Sequence, residues 1–94
     1  MTKTIKKLAS MPYAQAHTVN YESGTVLLYS YTTLVARLSS DGWLVVYGLF
    51  SATTRKHISA FMREYAKPLS YYDAKRSYVD DVRINIYTGE VEDL

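Results

Sequence analysis

The 94-residue sequence contains no cysteine. That absence removes disulfide scaffolds, cysteine-ligated zinc and thiol nucleophiles together. Its two histidines, His17 and His57, make a poor metal set by themselves. Two prolines and four glycines leave few breakpoints, and no repeat, linker or low-complexity tract interrupts the chain. Long apolar runs are missing too. The longest lie around Thr25–Tyr29 and Trp43–Phe50, well short of the roughly 20 residues that cross a bilayer. A basic start, Met1-Thr-Lys-Thr-Ile-Lys-Lys, is not followed by the apolar segment of a secretion signal. A cytoplasmic protein without membrane contact is the expectation. Neither GxGxxG nor a P-loop occurs, so nucleotide-dependent chemistry has no support.

What is present is ordinary for a globular chain: 48% apolar and 21% charged residues. A single domain of this size buries about 65% of its unfolded surface, enough for one modest core. Tyrosine is abundant, at ten residues. The net charge of +2 conceals an asymmetry. Residues 1–67 carry eight Lys/Arg against three acids (+5), and residues 68–94 carry three against six (−3). Such a split marks either a basic working face or two halves that attract each other when folded.

The pattern along the chain predicts an α+β fold: a small antiparallel sheet of three to five strands, with one main helix packed across a face. Residues 1–12 read as a flexible basic arm closed by Pro12. Alternation over 13–21 and the β-branched, aromatic run 25–31 read as strands joined by Glu22-Ser23-Gly24. Thr33–Leu38 continues the second of these or forms a new strand. Ser39-Ser40-Asp41-Gly42 then separates two apolar runs, the surest hairpin in the sequence. Ile58, Phe61, Met62 and Tyr65 fall at i, i+3, i+4, i+7 and predict a helix over Thr53–Ala66, capped by Ser51, Thr53 or Thr54 and stopped before Pro68. Ser70-Tyr71-Tyr72-Asp73 resembles a capping box that opens a short helix through Tyr78. Val82, Ile84 and Ile86 alternate with polar residues in a half-buried strand, before an acidic end, Glu90–Leu94, that either pairs or frays.

Catalysis finds little footing. Thr53 and Thr54 precede His57 by four and three residues. A hydroxyl–imidazole pair also needs an orienting group and an oxyanion site, which the sequence does not indicate. Asp80 and Asp81 are adjacent and diverge in a strand. No catalytic residue, metal or cofactor is therefore assigned. More informative is the surface of the main helix. At about 100° per residue, Arg55, Lys56, Ser59, Arg63 and Lys67 share one third of the circumference, opposite the apolar stripe. Four cations and a hydroxyl suit phosphates or an acidic partner; a solvated helix face accounts for them equally. Tyr71 and Tyr72 are candidate interface aromatics, because neighbouring helical residues cannot both face one core.

Two stretches carry a resemblance. Ser30-Tyr31-Thr32-Thr33-Leu34-Val35-Ala36 has the form SY-x-T-x-VA, and Ser51-Ala52-Thr53-Thr54-Arg55-Lys56-His57 the form S-x-TT-x-x-H, followed by Phe61. With a hairpin between them, they resemble a group of small proteins of bacteriophages and prophages. The likeness spans residues 29–61. It implies that Ser51, Thr53, Thr54 and His57 form a structural motif at the helix start, with hydroxyls capping the helix and His57 bonding back to the hairpin. It also implies a phage setting, in which short proteins often block host or defence machinery. The expected function is accordingly a non-enzymatic binder of a host or anti-phage defence protein, such as an inhibitor of a CRISPR effector. The alternative is a nucleic-acid-binding module using the basic helix face. A homodimer fits either.

Overall fold

A computed structural model describes residues 2–48 and 51–94. The last two residues of the Trp43–Phe50 apolar run lie outside the described residues. Seven strands form one antiparallel sheet in sequential order. They are β1 (Lys3–Lys7), β2 (Ala16–Tyr21), β3 (Val26–Ser30), β4 (Thr33–Leu38), β5 (Trp43–Val46), β6 (Val82–Asn85) and β7 (Val91–Asp93). Two helices, α1 (Ala52–Tyr65) and α2 (Tyr71–Val79), lie between β5 and β6 in the chain, and β6 still returns beside β5.

The α+β class stands, but the sheet has seven strands and not three to five. The additional ones are at the two edges. Lys3–Lys7, expected as part of a flexible arm over 1–12, pairs along its whole length with β2. Its lysines suggested a solvated tail. Lysine is equally what a sheet edge carries to prevent pairing with other chains. β7 is three exposed residues long and gives no period-2 burial signal. Thr33–Leu38 is a separate strand, entered through Tyr31 at φ 56°, a left-handed conformation held by its N–H donating to the Gln15 carbonyl at 2.7 Å.

Alternation decides which side of each strand meets the helices. Val26 and Leu28 of β3, Ala36 and Leu38 of β4, and Leu44 and Val46 of β5 point to one face and are buried. Onto it α1 lays Ile58, Phe61 and Met62, all essentially inaccessible. Ser51 caps α1, its Oγ accepting the Thr54 N–H at 3.1 Å. At the start of α2 the Asp73 carboxylate accepts the Ser70 N–H at 2.8 Å, the closing half of the expected capping box. Buried Ser77 fixes α2 across the β5–β6 seam: its hydroxyl donates to the Val82 carbonyl and accepts the Val46 N–H at 3.1 Å.

The Ser39–Gly42 turn needs its glycine, though not for the Asp-Gly two-residue geometry expected. Gly42 sits at φ 94°, whereas Asp41 is not in the left-handed region. A Cβ on Gly42 would fall 2.6 Å from the Tyr87 ring. Gly42→Ala is therefore expected to destabilise the fold by roughly 1–3 kcal/mol, from backbone strain plus displacement of Tyr87. Urea denaturation checks it, with an unchanged midpoint as the contrary result.

Candidate functional site: a cationic cleft beside a buried hydroxyl–imidazole network

Two polar clusters border α1, one inside the fold and one outside. The inner one joins the two motifs noted in the sequence. Ser30, at the end of β3, and His57, on the inner face of α1, are each 2% exposed. Ser30 Oγ lies 2.8 Å from His57 Nδ1 and 3.1 Å from Thr54 Oγ1. Ser51 Oγ in turn donates to Thr54 Oγ1 at 3.2 Å. The Tyr31 ring stands tilted against the imidazole, 6.0 Å between centroids. His57 thus bonds back to β3, not to the β4–β5 hairpin, and Thr53 stays exposed outside the network. Among the described residues no buried side-chain polar atom lacks a partner. Ser30 is the member that sequence reasoning missed as a site residue; only the SY-x-T-x-VA resemblance hinted at it.

A serine hydroxyl on an imidazole is the beginning of a nucleophile–base pair. Here both groups are sealed from solvent, and the serine is also bonded to a threonine. The arrangement is suited to pinning α1 onto β3. Burial lowers the His57 pKa from its ordinary 6.5, since the charged ring loses solvation. The unfolded chain then takes up a proton at higher pH than the folded one. The stability contributed by neutral His57 is full above about 6.5 and falls as pH drops below that value. Melting temperature is expected to decline on acidification from about pH 7 to 5, and His57→Gln should flatten that dependence. Equal slopes in the two proteins would contradict it.

The outer cluster is a cleft of about 310 Å³ between the two helices. Arg55 and Ser59, one turn apart, line it from α1 together with Lys56; Tyr71 and Lys75, also one turn apart, line it from α2. The cluster therefore holds three cations, a hydroxyl and an aromatic edge. No carboxylate contributes to the lining. Among the described residues the ion pairs are Arg76–Asp80 and Arg83–Glu92, which leave the cleft cations out. Arg55 and Lys56 also stand near the start of α1, whose first turn carries no acidic residue.

Of the five residues expected to form one stripe, three meet in this cleft. Arg63 and Lys67 line a second groove with Ala9, Ser10, Ala60 and Glu64, where the Glu64 carboxylate accepts the Ala9 N–H at 2.8 Å. Tyr71 packs against the core as well as facing the cleft, while Tyr72 turns out and is 80% exposed. Lys75 was not a candidate from sequence, although its position one turn after Tyr71 was legible. No group of three or more acidic or histidine residues with metal-binding geometry occurs among the described residues, and no described helix is long and apolar enough to cross a membrane.

No curated protein and no solved structure shows significant similarity to the chain. Residues 2–79 match a family of unknown function, DUF8033, a span that takes in both motifs, the whole of α1 and the whole of α2. The chain belongs to that family.

Proposed function

We propose that this protein works by binding, that its working surface is the α1–α2 cleft, and that the bound groups are nucleic-acid phosphates. The observation that carries the reading is the lining: Arg55, Lys56 and Lys75 converge with Ser59 and no carboxylate. Phosphate oxygens satisfy such donors well. The sealed Ser30–His57 pair favours a non-enzymatic role, since no substrate reaches it without opening the core.

A protein partner is the second reading, favoured by Tyr72 standing exposed next to Tyr71, their rings edge-on at 6.4 Å. Aromatics of this kind serve as interface anchors. A host or defence factor is the partner class implied by the phage resemblance.

Fluorescence anisotropy with a labelled duplex at low salt tests the first reading. Saturable binding is expected, weakening with salt at a log–log slope of about −2 to −3 for three phosphate contacts. A flat titration overturns it, and recovery of one stoichiometric host protein in pull-downs would then favour the second.

A further inference from the structure

The helices pack on one face of the sheet; on the other, Val19 and Val45 are buried, while His17, Tyr29 and Trp43 are half-buried and Arg37 is exposed. Cross-strand pairing places Lys7 beside His17 and His17 beside Tyr29 on that open face. The His17 and Tyr29 rings lie parallel, 3° between planes and 5.1 Å between centroids. At the far side of the face Trp43 is half-buried, with the Arg83 guanidinium 4.1 Å over its ring. Exposed Arg37 stands between these two aromatic sites, on the central strand β4. Glu92 is the acid that the strands carry on this face, and Arg83 already engages it.

We propose that this open face is a platform for single-stranded nucleic acid. Unpaired bases would stack against the His17–Tyr29 pair and against the Trp43–Arg83 pair, while Lys7 and Arg37 meet the backbone phosphates. Aromatic rings on a sheet face accept any base on the ring surface they leave free, because every base has a π face, and interleaved cations neutralise the chain that links them. A duplex keeps its bases stacked inside and offers this face only phosphates. The surface lies on the opposite side of the sheet from the α1–α2 cleft and rests on different residues, so the two stand or fall separately.

Trp43 is the chain's single tryptophan, and its emission reports directly on this face. The full chain is titrated with a single-stranded oligothymidylate and with a duplex of equal length. Saturable quenching by the single strand is expected, with no comparable change from the duplex. Tyr29→Ala should weaken the single strand about tenfold. Arg37→Glu, at an exposed position that leaves the core intact, should weaken it as well. Equal quenching by duplex, absence of saturable quenching, or wild-type affinity in Arg37→Glu would overturn the proposal. So would Trp43 emission that shifts on dilution alongside dimer dissociation, which would assign the face to a second copy of this chain.

Discussion

Phe61→Ala is expected to remove about 3–5 kcal/mol of folding stability. Phe61 is fully buried in the core cluster and has the Tyr65 ring at 5.2 Å. Truncation takes away a large apolar side chain and leaves a cavity that the sheet cannot fill by relaxing. A domain of this length holds roughly 5–14 kcal/mol in total, so the loss is a large share of the whole. With a urea slope of about 1–1.5 kcal/mol per molar for a small domain, the denaturation midpoint should fall by roughly 2–5 M. Trp43 fluorescence follows the transition. A midpoint within experimental error of the parent would mean that α1 does not pack as described.

The second large effect concerns charge. Arg55→Glu with Lys75→Glu reverses one cation on each wall of the cleft, whose lining holds no carboxylate. Duplex affinity at low salt should fall well over tenfold, and the salt slope should shrink by about two. Arg63→Glu with Lys67→Glu changes the net charge equally, but in the groove that already holds Glu64. Its effect should be several-fold smaller, as a long-range field change without loss of a direct contact. Equal losses in the two variants would replace a defined cleft with a diffuse basic surface.

How much of this was legible in the sequence depends on whether a signal is local. α1 was, because its stripe, its Ser51 cap and its stop before Pro68 all lie within one segment. The capping box of α2 and the β4–β5 hairpin were readable for the same reason. The edge strands were not: β1 is exposed along its length and β7 consists of three exposed residues, so neither leaves a burial pattern. The two halves of the site differ similarly. Arg55, Lys56 and Ser59 share a helix face that angular spacing reveals. Lys75 joins them only through the packing of α2 on α1, and Ser30 meets His57 across 27 residues of chain. Helical periodicity also could not show that Glu64 turns the lower end of the stripe into another groove. The open sheet face came into view only with strand register, since His17 and Tyr29 become neighbours through the β2–β3 pairing.

The central claim is that phosphates are held between α1 and α2, and amide chemical-shift mapping of the labelled protein with a short duplex tests it most directly. A duplex is the right probe, because it offers phosphates without unpaired bases. The expected result is saturable shifts centred on Arg55, Lys56, Ser59, Tyr71 and Lys75, lost as salt is raised. Shifts centred instead on Arg63 and Lys67, or an unchanged spectrum at low salt, would contradict it.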